Sequence, residues 1–314
     1  MVCQKLIGQS YKKYEDIMIH KKIWLDGQLV PWDQANIHVM THTLHYGSGA
    51  FEGIRCYDTE RGPAIFRLPD HIKRLLNSFA CFGASIPWSQ SDLEQAVIST
   101  IRANNLRNCY IRPILFFGSE SILLNPMNLS VHCAVIALDM DKYLDRSGVK
   151  VGISNVLRIS PNSIPVHNKL NGLYINSILA FQDVKQRGFD EALLLDQNGY
   201  IAEGSVANVF FVIDGTLVTP TTESILPGIT RDTVIQLAGF LNMPVSEIKL
   251  SRSEIASASE AFFTGTASEI TPIKSIEMQS LKVPGAMNTK IKEAYQEAVL
   301  GRSFLSENWL TFIN

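Results

Sequence analysis

The stretch from Asp190 to Pro220, DEALLLDQNGYIAEGSVANVFFVIDGTLVTP, decides the fold of the second half of this chain. Within it, Asn198-Gly199 and Asp214-Gly215 each separate two runs rich in apolar and β-branched residues. An Asn-Gly or Asp-Gly pair between such runs is typical of a tight hairpin. Successive hairpins give antiparallel strands, whereas a Rossmann domain needs parallel strands joined by helices. The stretch therefore predicts an antiparallel sheet and disfavours a dinucleotide-binding fold.

The first half of the chain alternates between strand and helix patterns. The apolar runs around Asp26-Gly27 predict a hairpin, and CYIRPILFF (109–117) and VHCAVIAL (131–138) predict two more strands. Residues 69–83 carry an apolar stripe between a proline and a glycine, which predicts a helix. A second helix is predicted from Ser91, whose Glu94 would complete a capping box, to Asn105. Together these elements predict a small α+β domain.

A short polar stretch, DMDKYLDRSG, separates the two halves and ends at Gly148. Polar stretches of this kind between patterned segments are typical of connections. The chain has 314 residues, 46% of them hydrophobic, which is enough for two cores. We therefore expect a small domain over residues 1–139, an interdomain linker over 140–147 and a larger domain over 148–314.

The charge balance argues against two classes of partner. A formal net charge of -2 gives the chain no basic field that would attract nucleic acid or an anionic membrane. No apolar run reaches membrane-spanning length and the first residues lack a signal-peptide pattern, so we expect a cytoplasmic protein. The five cysteines are scattered, and His42 and His45 have no third ligand nearby, so we expect reduced thiols and no metal site.

Three loops are candidates for binding. The glycines of HYGSGAFEGIR (45–55) lack nucleotide-loop spacing and form either an ordinary turn or one that presents side chains to a cleft. Pro227 and Gly228 precede a helix predicted from Thr230 to Phe240, whose first amides would suit a phosphate. The turn from Gly265 to Ser268 offers more amides and a hydroxyl. Each of the last two loops, taken alone, is more often an ordinary cap or turn than a binding site. Two such loops in one domain favour a site for an anion.

Two ionisable side chains leave their roles open. Lys169, in SIPVHNKLNGLYIN (163–176), has uncharged neighbours, which suit either a nucleophilic amine or a lysine that reaches out to solvent. Glu203 ends the strand pattern GYIAEG. It is either a carboxylate at the rim of the sheet or the partner of a protonated heteroaromatic nitrogen.

Six motifs in order resemble those of one enzyme class. They are LHYGSGAFEGIR, YIRP, HNKLNGLY, GYIAEG, LPGITRD and TGTASEITP. They resemble the fold-type IV pyridoxal-phosphate enzymes, and most closely the branched-chain amino acid aminotransferases, over roughly residues 23 to 300. The resemblance implies an α+β fold with a small α/β sandwich domain and a larger domain with an antiparallel pseudo-barrel. It also implies a homodimer or larger homo-oligomer that exchanges amino groups between leucine, isoleucine or valine and 2-oxoglutarate.

The resemblance also implies a role for individual residues. Lys169 would bind pyridoxal 5'-phosphate covalently and act as the catalytic base, and Glu203 would pair with the ring nitrogen. The remaining cofactor-binding residues would be Arg74, Tyr174, Leu226, Ile229, Thr230 and Thr266. The substrate-binding residues would be Tyr46, Phe51, Tyr110, Arg112, Tyr143, Tyr174, Thr266 and Ala267, with Tyr46 and the loop at Leu124 at a second subunit.

Several positions depart from the family pattern. Val206 stands where a glycine is usual, Asn171-Gly172-Leu173-Tyr174 stands where Gly-Gly-Asn-Tyr is usual, and Met140 replaces a tryptophan. A valine at the first position would crowd or tilt the cofactor. The sequence EGSVANVF also resembles the D-amino acid and (R)-amine transaminases of the same fold, which are the alternative. An aminodeoxychorismate-type lyase, or a protein that has lost catalysis, fits the motifs less well.

Overall fold

The computed structural model describes residues 22–139 and 147–313. The first half contains strands β1 (Lys22–Leu25), β2 (Gln28–Pro31), β3 (Gly49–Phe51), β4 (Ile54–Thr59), β5 (Gly62–Phe66), β6 (Cys109–Phe117) and β7 (Val131–Leu138), and helices α1 (His42–Tyr46), α2 (Leu68–Ala80) and α3 (Gln90–Ala103). The second half contains strands β8 (Val149–Ile153), β9 (Glu191–Leu195), β10 (Ile201–Gly204), β11 (Asn208–Ile213), β12 (Thr216–Thr219), β13 (Val245–Glu247), β14 (Glu260–Gly265), β15 (Glu269–Ile276), β16 (Gln279–Ser280) and β17 (Leu310–Phe312), and helices α4 (Tyr174–Gln186), α5 (Ile229–Phe240), α6 (Ala286–Val299) and α7 (Ser306–Trp309).

The first sheet is antiparallel throughout, in the order β17-β5-β4-β6-β7-β1-β2, with β3 also paired to β6. The predicted hairpin at Asp26-Gly27 and both predicted strands of the first half are confirmed. The helices α2 and α3 share a buried core with this sheet, in which Leu75, Phe79 and Phe117 are fully buried. Strand β17 pairs with β5, so the end of the chain returns to the first sheet.

The start of α3 differs from its prediction. The capping box uses Ser89 and Asp92 rather than Ser91 and Glu94. The Asp92 backbone N–H donates to the Ser89 hydroxyl at 3.2 Å, and the Ser89 N–H donates to the Asp92 carboxylate at 2.8 Å. The Glu94 carboxylate instead accepts a hydrogen bond from the Gln90 side chain at 2.8 Å. Two overlapping Ser-x-x-acid frames lie two residues apart, and the helix begins at the earlier one.

The second sheet has the order β10-β9-β8-β15-β14-β11-β12-β13, with β16 paired to β15. The predicted hairpins at Asn198-Gly199 and Asp214-Gly215 join the antiparallel pairs β9–β10 and β11–β12. Strand β8 is parallel to both of its neighbours and β13 is parallel to β12, so this curled half-barrel sheet is mixed. The predicted α+β fold is confirmed. The division at 139 and 148 stays a prediction, and residues 140–146 of the linker lie outside the described residues.

The segment that carries Lys169 pairs with the first sheet. Ala50 of β3 forms an isolated bridge with Leu170, and the Phe51 N–H donates to the Lys169 carbonyl at 3.2 Å. The lysine is therefore fixed through its backbone to the first sheet.

In the described part of the chain, no helix combines the length and apolar character needed to cross a bilayer.

Candidate active site

A cavity of about 320 Å³ lies where the two halves meet. The first half contributes Phe51, Gly53, Arg74, Tyr110, Arg112 and Leu138, and the second half contributes Arg158, Lys169, Leu173, Tyr174, Glu203, Val206, Leu226, Gly228, Ile229, Thr230, Thr264, Thr266 and Ala267 among others. The volume is within the usual range of small-ligand sites. All the predicted cofactor-binding residues line this cavity, as do the described substrate-binding candidates other than Tyr46.

The Lys169 amine is directed into the protein. Its Nζ donates to the Tyr174 hydroxyl at 2.7 Å and lies 5.1 Å from the centre of the Phe51 ring. Its backbone N–H donates to the Ser78 hydroxyl of α2 at 2.9 Å. A lysine that reaches out to solvent is thus the wrong interpretation of this residue. The Lys169 backbone contacts α2 and β3, and its amine contacts the Tyr174 hydroxyl. The residue is half-buried, so the amine can meet a ligand in the cavity.

Glu203 lies on β10 and is buried, so it is not a carboxylate at the rim of the sheet. Its oxygens accept hydrogen bonds from Arg158 Nε at 2.8 Å and Asn208 Nδ2 at 3.0 Å, and from the Leu226 N–H at 3.3 Å. Burial raises the pKa of Glu203, and the Arg158 guanidinium opposes that rise. The carboxylate is held at a fixed place in the cavity wall.

Arg158 was not predicted as a site residue. It is buried, and its guanidinium forms an ion pair with Glu203. A buried carboxylate requires a cation or several donors. A buried Glu203 therefore predicts a cationic partner. The chain has 28 lysines and arginines, however, and the sequence does not show which of them contacts Glu203.

The start of α5 forms a cradle for an anion. Gly228 is the N-cap, and a Cβ there would collide with the Asn208 side chain, so the position requires glycine. Ile229 and Thr230 begin the helix, where unpaired amides and the helix dipole favour negative charge. Arg74 of α2 also lines this end of the cavity and donates from Nη1 to the Pro227 carbonyl at 3.2 Å. The predicted anion site at this helix is therefore assembled from both halves of the chain.

Arg74 is held by a buried carboxylate. Glu52, fully buried, accepts hydrogen bonds from Arg74 Nε at 2.6 Å and Nη2 at 3.0 Å, and it also contacts His71 Nδ1 at 2.8 Å and the Gly53 N–H at 3.2 Å. Burial alone would raise the pKa of Glu52, but Arg74 and His71 together hold it well below its usual range. Burial lowers the pKa of His71. Glu52 lies within the motif FEGIR, yet its contact with Arg74 is not visible in the sequence.

Two buried polar groups of the cavity region lack a partner. Arg112 donates from Nη2 to the Tyr110 hydroxyl at 2.9 Å, and its guanidinium lies 4.6 Å from the centre of the Phe51 ring. Within the described residues, Arg112 Nε and the Thr264 hydroxyl are buried without a hydrogen-bond partner. Buried polar groups in proteins are nearly always paired. These two atoms therefore indicate a polar ligand in this part of the cavity.

One described substrate-binding candidate, Tyr46, does not line the cavity. Tyr46 is exposed, and its hydroxyl donates to the Ile122 carbonyl at 2.8 Å. Tyr143 lies outside the described residues, as does Met140.

The His42 ring nitrogens contact the Ser48 hydroxyl and the Leu123 carbonyl, at 2.7 and 3.1 Å. Among the described residues, no group of three His, Cys, Asp or Glu side chains has the arrangement of a metal site.

Two of the described departures from the family pattern, Leu173 and Val206, line the cavity. Leu173 is buried and packs in the core of the first sheet. Val206 is 39% exposed and lies in the tight turn closed by the hydrogen bond from the Gly204 N–H to the Ala207 carbonyl at 2.7 Å. Ser205 beside it donates to the Glu191 carboxylate at 2.5 Å. Val206 thus presents an apolar side chain on a braced turn.

Comparison with known proteins agrees with this geometry. Residues 49–276 match the family model of the class IV amino-transferases. The branched-chain-amino-acid aminotransferase of Pseudomonas aeruginosa is 41% identical over 297 residues, which cover 93% of this chain and 97% of that protein. The crystal structure of the branched-chain aminotransferase of Thermoproteus uzoniensis, with norvaline, superposes with a TM-score of 0.91 at 41% identity, covering 94% of this chain and 100% of that one. The branched-chain amino acid aminotransferase of Thermobaculum terrenum, in its PLP-form, gives a TM-score of 0.88 at 33% identity, covering 94% and 99%.

A two-domain α+β fold with a lysine, a buried carboxylate and an anion cradle in one cavity defines a transferase of amino groups. The chain belongs to the class IV aminotransferase family.

Proposed function

We propose that the protein transfers amino groups between branched-chain L-amino acids and 2-oxoglutarate with pyridoxal 5'-phosphate as cofactor, giving branched 2-oxo acids and L-glutamate. The observation that carries this proposal is the Lys169 amine in the same cavity as the buried Glu203 carboxylate and the N-terminus of α5. An amine, a carboxylate and an anion cradle are the three groups that a phosphorylated pyridine aldehyde needs.

The residues of the cavity fit this cofactor. Lys169 would hold it covalently, Glu203 would hold the proton on the ring nitrogen, and Tyr174 would lie at the phenolic oxygen. Leu226 would contact the ring, and the phosphate would be bound by Arg74, Ile229, Thr230 and Thr266. The bound cofactor supplies an electron sink that weakens the bonds of the substrate's α-carbon. Burial raises the pKa of Glu203 and Arg158 opposes that rise, and a protonated ring nitrogen beside it would favour the charged carboxylate further.

Lys169 would also move the proton. Its Nζ would remove the proton from the substrate's α-carbon and return it to the carbon of the cofactor. The Tyr174 hydroxyl, 2.7 Å from Nζ, would orient the amine for that transfer. Because amine and phenol lie on a turn braced by Ser78 and Phe51, their positions are set before substrate arrives.

The substrate would be held at both ends. Arg112, whose Nε lacks a partner within the described chain, would bind the carboxylate with Tyr110 and the turn at Thr266 and Ala267. Phe51, Leu173 and Val206 offer apolar surface to the side chain. Tyr143 stays a predicted member of this pocket. A cationic anchor and apolar surface in one cavity suit a branched-chain amino acid.

Steady-state assays with 2-oxoglutarate test the proposal. We expect turnover of L-leucine, L-isoleucine and L-valine and none of D-leucine or an (R)-amine. Turnover of the D-substrates alone would instead favour a D-amino acid or (R)-amine transaminase. Absence of 2-oxoglutarate-dependent turnover of any L-substrate would contradict the proposal.

We also propose that the protein acts as a homodimer or larger homo-oligomer in the cytoplasm. Val39, Leu44, Leu123 and Leu124 are all more than 60% exposed, and the hydrogen bond from Tyr46 to Ile122 joins the two loops that carry them. An exposed apolar surface of this kind marks an interaction site. Light scattering should give at least twice the chain mass, and Leu124→Asp should reduce it. A monomeric wild-type protein would contradict the proposal.

A further inference from the structure

The side chain of Asn208 links the Glu203 carboxylate to the segment before α5. Asn208 begins β11 and is buried. Its Nδ2 donates to Glu203 Oε2 at 3.0 Å and to the Leu226 carbonyl at 2.9 Å. The Leu226 N–H in turn donates to Glu203 Oε2 at 3.3 Å. The three residues therefore form a closed ring of hydrogen bonds in the wall of the cavity.

The two acceptors of Asn208 suit the amide of an asparagine. A carbonyl oxygen and an ionised carboxylate accept hydrogen bonds and donate none. The amide nitrogen carries two protons, one for each acceptor, whereas a hydroxyl carries one and an ionised carboxylate carries none. If the Asn208 amide were turned over, its oxygen would face two acceptors. The orientation of the side chain is therefore fixed by its partners.

The backbone around Asn208 also restricts this side chain. A Cβ on Gly228 would collide with Asn208 Oδ1, so the N-cap of α5 lies close against the amide. The backbone of Asn208 is opposite Thr264 in the pairing of β11 with β14. The amide therefore has little freedom to turn away from Glu203.

Each oxygen of the Glu203 carboxylate has a close donor. Oε1 accepts from Arg158 Nε at 2.8 Å, and Oε2 accepts from Asn208. The Leu226 N–H makes longer contacts, at 3.4 and 3.3 Å from the two oxygens. Donors on both oxygens fix the plane of the carboxylate, and hydrogen bonds to its charged form favour ionisation. Without Asn208, Oε2 would keep only the longer contact with the Leu226 N–H.

We propose that Asn208 is a positioning residue that keeps Glu203 ionised and in a fixed orientation for the ring nitrogen of pyridoxal 5'-phosphate. A carboxylate stabilises a proton on a ring nitrogen only while it is charged itself, because a carboxylic acid has no negative charge to offer. A donor to Glu203 therefore favours the proton on the ring nitrogen over the proton on Glu203. The inference rests on the proposed function, since it assumes the pyridine ring beside Glu203.

Nitrogen NMR of the bound cofactor reports the position of this proton directly. The full-length protein is loaded with pyridoxal 5'-phosphate labelled at the ring nitrogen, whose resonance differs between the protonated and the neutral form. In the wild type we expect the protonated form. Asn208→Leu keeps a similar volume and removes both hydrogen bonds. It should lower the ratio of protonated to neutral nitrogen by about tenfold, the effect of one hydrogen bond to a charged group.

Further variants separate this role from a purely structural one. Asn208→Ser has one proton in place of two and a smaller side chain. It should move the resonance in the same direction, and it replaces Asn208→Leu if that variant does not fold. In a Glu203→Gln background neither substitution should move the resonance further, because the carboxylate that Asn208 positions is absent. Asn198→Ser, at an exposed asparagine of the β9–β10 hairpin, is the matched control and should give the wild-type resonance.

A folded Asn208 variant with the wild-type resonance would overturn the inference. So would a neutral ring nitrogen in the wild type, or an equal movement of the resonance in the Glu203→Gln background. Failure of the proposed function gives a different result. In that case the wild-type protein itself develops no visible absorbance with pyridoxal 5'-phosphate.

Discussion

Lys169 Nζ and the Tyr174 hydroxyl are joined by a hydrogen bond of 2.7 Å, and the two residues are the ends of one short turn. The turn is anchored at Ser78 of α2 and at Phe51 of β3. The reactive amine is thus fixed by elements of the first sheet, while the carboxylate of Glu203 is fixed by the second. The chemistry depends on the contact between the two halves of the chain.

Replacement of the lysine should abolish both attachment and proton transfer. We predict that Lys169→Ala loses the visible absorbance of bound cofactor and about four orders of magnitude in turnover, because nucleophile and base are the same amine. Absorbance spectra and steady-state assays measure the two effects. Lys150→Ala removes an exposed lysine and is the control that should keep both. A variant at Lys169 with normal turnover would remove the residue from the mechanism.

Replacement of the ring-nitrogen partner should slow chemistry more than binding. We predict that Glu203→Gln keeps the cofactor but slows removal of the α-proton by about a hundredfold, because an amide does not stabilise a proton on the ring nitrogen. Single-turnover kinetics with α-deuterated L-leucine measure that step directly. Glu223→Gln, at an exposed carboxylate paired with Lys249, should behave as wild type. An unchanged single-turnover rate in Glu203→Gln would show that the carboxylate has another role.

The buried ion pair of Arg74 and Glu52 should stabilise the fold at neutral pH and lose that contribution in acid. The pKa of Glu52 is lowered in the folded protein from an ordinary value of 4.5, because Arg74 and His71 outweigh its burial. Its contribution is therefore fully present above pH 4.5 and is lost as the pH falls toward the folded pKa, by at most about 1.4 kcal/mol per pH unit.

The variant Glu52→Gln should remove that part of the acid dependence. It should also destabilise the fold at neutral pH by about 3 kcal/mol, because Arg74 is left without its counter-charge. Denaturant unfolding between pH 3 and pH 7 measures both effects, with Glu223→Gln again as control. If the free energy of unfolding of Glu52→Gln falls in acid as steeply as that of wild type, another carboxylate is responsible.

Val206 should contribute to the choice of substrate. We predict that Val206→Gly lowers kcat/KM for L-leucine by about fivefold, roughly 1 kcal/mol of apolar contact, and leaves L-glutamate almost unchanged. For Val206→Ala, we expect a kcat/KM for L-leucine between those of Val206→Gly and the wild type. Steady-state assays of both amino acids measure the ratio. An equal change for both substrates would mean that Val206 affects the cofactor rather than the side-chain pocket.

Local sequence patterns predicted the positions of strands and hairpins more reliably than they predicted which strands pair with each other. The two glycine hairpins and the strands 109–117 and 131–138 follow from residue spacing alone. The parallel pairs of β8 and the return of β17 to the first sheet depend on contacts between distant segments, which residue spacing does not encode. The capping box of α3 was misplaced by two residues because the same pattern occurs twice.

The candidate site shows the same division. Motifs identified Lys169, Glu203 and the helix start at Ile229, because each lies next to a recognisable turn or strand end. They missed Arg158 and the role of Glu52, since the contacts of a buried residue depend on the fold and have no sequence signature of their own. The neighbouring residues in the sequence suited either a nucleophilic amine or a lysine that reaches out to solvent. The contact of Lys169 with Tyr174 shows that the amine is directed inward.

The most direct test of the central claim is one half of the reaction followed in a spectrometer. The purified protein with bound pyridoxal 5'-phosphate receives L-leucine and no 2-oxo acid. We predict that the visible absorbance falls, that one branched 2-oxo acid is released per active site, and that 2-oxoglutarate restores the absorbance. An unchanged spectrum with no 2-oxo acid released would contradict the assignment of Lys169 and Glu203 to amino-group transfer.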